Sequence, residues 1–582
     1  MTESDIGRSK PEVKQNVSVC AGIIVFLGII LSCLTAIFGY DILPDYQDKL
    51  FHLRRLAALA QTLNSGYFPA RIYFVMNGGT GYALPVFYPD LFLYVSAFLV
   101  NVGVPLGIAY DVYVIGINLI TGVVTYLSVK GILKGDKIIS AIISFVYVLS
   151  VYRLTDVYIR DAAGEYTAMA FLPFVIYSFV RIYRNEDSDE GIKGILRNAS
   201  ALGLSMAVLS FSHILTTMMV AGFLFVSAIM LFKKTVKKNT IVTLVLSVVI
   251  FLGLSAYNLV PMIDYMLSDR YLVNESSNAM RGFYPGWRDI LEIIPSGSGS
   301  GIGYEMRMPT AIGPAITAIL AAWFVRTLIL ALKKKTGKHF TAELVLFVVT
   351  GLSLFISSKY FPWTKIEQSG GILRSLFCSV QFSWRYLGTA SVCACILGAY
   401  LIRDIYASSK TAGRIFACLI VIMAVIPACI LQIRACSENR HATITKGEEI
   451  GIVSDELYFP VSWNRDAVYD EKPETAGCEV ISYARVGGGW LVDVENTSEG
   501  ASVIFPVVYY KGYVAENESG EKLQVIQGDS GRVTVLLNGG SDGQIKLGFK
   551  EPALWKFAEI ISLIVIVFVS LILIIRKKTG GD

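Results

Sequence analysis

Stretches of about twenty apolar residues recur along the whole chain, and nothing constrains its fold more. At 1.5 Å per residue a helix of that length matches the roughly 30 Å hydrocarbon core of a bilayer. The sequence predicts spans at 17–39, 108–129, 138–152, 163–183, 195–212, 213–232, 239–260, 310–332, 341–358, 385–402, 415–433 and 554–575. The first run, VSVCAGIIVFLGIILSCLTAIFGY from Val17, is too long for a signal-peptide core and lacks a small-x-small cleavage site, so it reads as an anchor. Composition agrees. Of 582 residues, 54% are hydrophobic and 17% charged, against about 25% charged in soluble domains. A string of soluble domains and a disordered chain are both excluded. The net charge of +5 is too small to suggest nucleic-acid binding, and the 9 cysteines contain no CxxC pair that would suggest zinc or redox chemistry.

Orientation follows from Lys and Arg. They crowd at Lys130/Lys134/Lys137, Arg181/Arg184, Lys233/Lys234/Lys237/Lys238, Lys333/Lys334/Lys335/Lys338, Arg403/Lys410/Arg414 and Arg576/Lys577/Lys578. With all six groups cytoplasmic, the spans from 108 onward alternate correctly. Residues 153–162, 261–309, 359–384 and 434–553 then lie outside the plasma membrane. Arg8, Lys10 and Lys14 favour a cytoplasmic N-terminus. That choice makes 88–104 a short re-entrant or interfacial helix on the outer side. The expected organisation is a polytopic α-helical membrane domain (1–433, about 12–13 transmembrane helices), an extracytoplasmic β domain (434–553), and a last helix with a cytoplasmic tail (554–582).

The β domain differs in character from the rest. Acidic residues outnumber basic ones about two to one there. WLVDVEN, ASVIFPVVYY, KLQVIQG, RVTVLLN and QIKLGFK alternate as strands do, separated by Gly-rich turns such as LNGGSDG. A small β-sandwich is expected. Cys436 and Cys478 both fall on the exported side, either as a pair or as two free thiols.

The first outer loop, 40–88, carries the densest chemistry. Asp41, Asp45 and Asp48 follow the first span, and an amphipathic helix is predicted from about Asp48 to Asn64. Asp48, His52 and Arg55 stand at i, i+4 and i+7 and share one face. A carboxylate at the membrane edge can accept a hydroxyl proton, and rings such as Tyr82 and Tyr88 can stack on sugar faces. Ordinary helix caps on a solvated loop are the plainer alternative.

A second cluster, Asp156, Arg160, Asp161 and Glu165, marks an outer helix start. Glu165 enters an apolar span, where an ionisable group suggests function, although a helix N-terminus also suits an acid. His213, in LSFSHILTT, either bonds a substrate or ends a helix. Arg385, in QFSWRYLG, either grips a phosphate through its planar fork or anchors the span at the interface. The Gly-rich IPSGSGSGIGYE lacks the strand–GxxxxGK–helix context of a nucleotide loop.

The order of these motifs resembles a family. D-x-x-x-H-x-x-R at Asp48, His52 and Arg55, then GYFP, GTGY and FYP, R-D-x-x-G-E at Arg160–Glu165, Ser212–His213, QFSWR and FPVVYYKGY look like the bacterial YfhO-type membrane proteins. That family is similar to the GT-C superfamily of glycosyltransferases, whose relatives include protein O-mannosyltransferases, lipid A aminoarabinose transferases and oligosaccharyltransferase catalytic subunits. The resemblance implies a catalytic acid in the first outer loop and a lipid-linked sugar phosphate as donor. Asp48 matches that acid best. Lys49 follows it where the family commonly has Glu, so Asp41 and Asp45 remain rivals.

The activity implied by the resemblance is that of an inverting glycosyltransferase moving a sugar from a polyprenyl-phosphate donor to a cell-envelope glycan, lipid or protein. His52, Arg55, Tyr82, Tyr88, Arg160, Asp161, Glu165, His213 and Arg385 would bind substrate. No cofactor is certain: Glu165 or Asp161 would either orient the acceptor or hold a divalent cation, Mg²⁺ or Mn²⁺, with Asp48 the other candidate ligand. The alternatives are a transporter or flippase of lipid-linked glycans, and a non-catalytic glycan-binding assembly protein. Transporters commonly show repeated halves with mid-membrane breaks, and no such repeat is visible.

Overall fold

The computed structural model describes residues 11–38, 48–184, 191–273, 280, 283–295, 308–438, 453–464, 472–540 and 542–574. Asp41 and Asp45 lie outside them. The helices are α1 (Pro11–Phe38), α2 (Lys49–Asn64), α3 (Tyr94–Asn101), α4 (Leu106–Ile132), α5 (Lys137–Val148), α6 (Val151–Tyr158), α7 (Ala163–Tyr183), α8 (Ile192–Ser212), α9 (Ile214–Met230), α10 (Lys238–Ser268), α11 (Pro314–Leu332), α12 (Phe340–Ser357), α13 (Tyr386–Ser408), α14 (Lys410–Glu438) and α15 (Ala553–Ile574). Ten helices of the described residues are long and apolar enough to cross a membrane. α5 with α6 makes an eleventh as a bent pair, and α9 is a shorter apolar helix. The chain is a multi-pass membrane protein.

The bundle is built around α13. Every residue from Tyr386 to Ile402 is buried, because small residues let neighbouring helices approach from all sides. A Cβ on Gly398 would stand 2.8 Å from Ile319 Cδ1 of α11. α15 is the opposite case, burying only Trp555, Ala558 and Val569.

Three spans depart from their expected form. The run 138–152 is a pair of helices bent by 46°. Buried Arg153 sits at the bend and donates to Val148 O at 3.1 Å, closing the exposed end of α5. The span expected to stop at 260 continues through Pro261 to Ser268. Proline there leaves Tyr257 O without its N–H, and Arg71 Nη1 donates to that oxygen at 3.2 Å. Pro173 inside α7 likewise frees Met169 O, which the Tyr147 hydroxyl takes at 2.8 Å. α3, with Leu91–Leu93 ahead of it, is too short to cross, and it exposes Val95 and Phe98 beside α2.

Eight strands come next: β1 (Glu474–Ala476), β2 (Glu479–Val486), β3 (Gly489–Glu495), β4 (Ser502–Val508), β5 (Tyr513–Asn517), β6 (Lys522–Gln527), β7 (Arg532–Leu536) and β8 (Gly543–Phe549). All pairs are antiparallel, in the order β1-β4-β7-β6-β5-β8-β3-β2. Trp490, Val492 and Val494 of β3 face inward with Ile545 and Leu547 of β8, the period-two pattern of a half-buried sheet. Cys436 and Cys478 are both free thiols.

This domain is fastened to the first outer loop. Val508 N donates to Thr80 O at 2.9 Å. Arg71 pairs with Glu551 at 2.8 Å, just ahead of α15, and with Glu559 on α15 at 2.9 Å.

Candidate functional site

Two ends of the bundle are chemically distinct. At one end Arg184 donates to Ile132 O at 2.7 Å and to the Tyr400 hydroxyl at 2.8 Å, and Arg326 pairs with Glu343 at 2.7 Å and with Asp404. Most of the lysine clusters lie in the turns at this end. At the other end the starts of α7 and α13, the α8–α9 turn and the first outer loop converge.

Asp48 caps α2, but its side chain accepts no capping bond. Its backbone N–H reaches Arg160 O at 3.0 Å. Its carboxylate has no hydrogen-bond partner among the described residues and keeps part of its surface open. Burial pushes the Asp48 carboxyl above its ordinary range. Arg160 and Arg385 pull it down and Glu165 pushes it up, so all three charges stand close by.

Glu165 gathers those charges. Its Oε2 accepts from Arg160 Nη1 at 2.5 Å and from Arg385 Nε at 3.0 Å, and its Oε1 accepts from the Tyr152 hydroxyl at 2.7 Å. Arg160 Nη1 also reaches Asp156 Oδ1 at 3.1 Å. Arg385 Nη1 is spent on Val380 O at 2.7 Å and Gln381 Oε1 at 3.2 Å. Arg385 Nη2 and Arg160 Nη2 donate to no described residue. Arg385 is therefore a paired residue with one donor to spare.

The remaining sequence candidates frame the site. His52 is buried, and its Nε2 accepts from Ala163 N at 3.2 Å. Burial, then Arg55 and Arg160, hold its pKa well below the usual histidine range, so it stays neutral. Arg55 ties Asp90 Oδ1 at 2.6 Å, Tyr88 O at 2.8 Å and Pro89 O. It fixes the FYP turn. The Tyr88 hydroxyl accepts from Gly164 N at 3.2 Å, and its ring meets His52 at 5.9 Å and His213 at 6.2 Å. His213 follows the last residue of α8 and caps the start of α9, its Nδ1 accepting from Thr216 N at 3.3 Å. Asp161 takes a left-handed φ of 59° and accepts from the Tyr110 hydroxyl at 2.6 Å.

Tyr82 is fully buried and acts through a residue that sequence reading missed. Its hydroxyl donates to Asp455 Oδ1 at 2.5 Å and accepts from Tyr458 N at 3.0 Å. Asp455 belongs to the segment leading into the β domain, which Asn77 pins through Ser454 at 2.8 and 3.0 Å. Tyr458 stacks on Phe87 at 4.7 Å, next to Tyr88. Burial pushes the Asp455 carboxyl up, the Tyr82 bond pulls it down, and nearby Asp48 raises it further. Asp455 also keeps an exposed surface. The only signal in the sequence was an acid in an otherwise featureless linker.

No group of three His, Cys, Asp or Glu among the described residues could hold a metal ion. Asp161 is engaged by Tyr110, and both Glu165 oxygens are engaged by donors. Of the three expected ligands, Asp161 and Glu165 are thus engaged by donors, and Asp48 has no such partner.

No family model matches the chain, and no curated protein matches it. Among solved structures it is similar to the oligosaccharyltransferase AglB of Archaeoglobus fulgidus, in complex with an inhibitory peptide and a dolichol-phosphate. There the TM-score is 0.40 and the identity 11%, over 72% of this chain and 56% of that one. The apo form of the Archaeoglobus fulgidus oligosaccharyltransferase matches at TM-score 0.42 and 13% identity, over 75% of this chain and 57% of that one. The chain thus spans little more than half the length of either. Likeness at this level assigns no chemistry, and the functional reading rests on this chain's own residues.

Proposed function

We propose that this protein is a membrane glycosyltransferase that moves a sugar from a polyprenyl-phosphate donor to an extracytoplasmic acceptor. One observation carries the reading. Asp48 is a carboxylate without a side-chain partner, raised in basicity and open to solvent, beside two arginines that each keep a free donor. The site lies at the end of the bundle opposite the lysine clusters, which the positive-inside rule makes the outer face.

In the proposed reaction Asp48 takes the proton of the acceptor hydroxyl as that oxygen attacks the anomeric carbon. The bond from the anomeric carbon to the phosphate oxygen breaks, and the lipid phosphate leaves with the electron pair. Attack from the opposite face inverts the configuration. Arg385 Nη2 and Arg160 Nη2 meet the growing phosphate charge, and Glu165 holds both guanidiniums in place before the reaction starts. Neutral His52 supports the α7 start without competing for the proton.

The test is purified protein with radiolabelled polyprenyl-phosphate sugars, wild type against Asp48→Asn. Sugar release by the wild type alone supports the reading. Binding without turnover in both favours a transporter or a glycan-binding protein.

A further inference from the structure

Two cavities meet at the basic end of the bundle, far from Asp48. One is an apolar slot of about 140 Å³ between α7, α9, α12 and α13, walled by Val175, Phe179, Phe223, Leu346, Val392 and Ile396. Along α7 it runs from Leu172 to Arg184, roughly 18 Å at the helical rise. The other is a cup of about 450 Å³ lined by Arg184, Lys234, Lys237, Lys238, Asn239 and Thr240. Both are lined by Tyr183, Arg184 and Lys234, so the slot opens into the cup.

The cup is made for an anion. Lys237 caps α10 and Lys238 begins it, so the unbonded first-turn N–H groups of a 31-residue helix sit at the cup wall. Thr240 is only 8% exposed, lines the cup, and its hydroxyl has no partner among the described residues. Lys234, Lys237 and Lys238 form no ion pair with any described residue. Away from Arg184 and Lys234 at its mouth, the slot is lined by apolar side chains with a few hydroxyls and the Cys393 thiol.

We propose that slot and cup together bind one anionic phospholipid of the basic-side leaflet, with an acyl chain in the slot and the phosphate in the cup. The site is independent of the glycosyltransferase reading. A sugar donor seated here would hold its sugar at the wrong end of the bundle. A free phosphate would leave the slot unfilled. The competing occupant is the chain's own Glu186, Asp187, Asp189 and Glu190, which follow Arg184 in sequence.

The test uses the full-length chain in nanodiscs of phosphatidylglycerol or phosphatidylcholine, with retained lipid counted by native mass spectrometry and the thermal midpoint recorded. The expected result is a preference for phosphatidylglycerol of about tenfold that falls to near one in Lys234→Gln/Lys237→Gln/Lys238→Gln. Thr240→Val weakens it. Ala342→Phe, which fills the slot without altering charge, lowers phosphatidylglycerol retention. Equal retention of both lipids overturns the proposal, as does an unchanged preference in the triple variant. Glycerol phosphate reproducing the full thermal shift also overturns it. So does a preference seen only after the four acids are neutralised, which would put that segment in the cup.

Discussion

The backbone N–H of Asp48 is bonded to the carbonyl of Arg160 at 3.0 Å. The proposed base is therefore tied to the residue whose side chain grips Glu165, and the first outer loop and the α7 start move as one piece. Asp48 can stay partnerless at its carboxylate because its main chain is held.

Asp48→Asn removes the proton acceptor and leaves the fold's contacts intact. Sugar transfer should fall by about 10²–10⁴-fold with donor binding retained, since general-base catalysis contributes that much. The measurement is label transfer alongside equilibrium binding of the donor lipid.

The pH profile should show the raised carboxyl. Asp48 works when ionised, and burial lifts its pKa, so activity should be lost on acidification above the roughly pH 4 expected of an ordinary aspartate. Glu165→Gln deletes a negative neighbour that pushes Asp48 up. The acid limb of kcat/KM should then move to lower pH. The same change strips two arginines of their carboxylate and should cost about 3–5 kcal/mol in stability, read as a thermal midpoint.

Asp455→Asn should spare donor hydrolysis by water and raise the acceptor KM about tenfold, because the acid stands near enough to Asp48 for their charges to interact. Tyr82→Phe should reproduce part of the effect, as its hydroxyl holds Asp455. Equal losses of hydrolysis and transfer in both variants would assign the pair to structure alone.

Gly164→Ala places a methyl group against the Tyr88 hydroxyl and 2.8 Å from Ser212 O. Neither can withdraw freely, one being backbone. Overpacking here should cost about 1–3 kcal/mol and displace Tyr88. Thermal unfolding with turnover checks it.

Adding EDTA should leave turnover unchanged if the arginines supply all the positive charge at the phosphate. Restoration by Mg²⁺ or Mn²⁺ after loss would show that a divalent cation takes part.

The helices were legible because lipid demands long apolar runs, and each expected span has its helix. Their breaks were less so. Pro261 reads as a stop, and only Arg71, far away in sequence, lets α10 continue. β3, β4, β6, β7 and β8 announced themselves by alternation, whereas β2 is exposed along most of its length and shows none. Site residues adjacent in sequence, Arg160 through Glu165, were visible. The Tyr82–Asp455 bond joins residues 373 apart, and no local pattern encodes such a meeting.

Arg71 binds both Glu551 and Glu559, so the loop bearing Asp48 is braced by residues at and just ahead of α15, far along the chain. A nascent chain has no such lock. Until α15 has been made, the loop bearing Asp48 lacks this brace, and Arg71 is left with neither carboxylate.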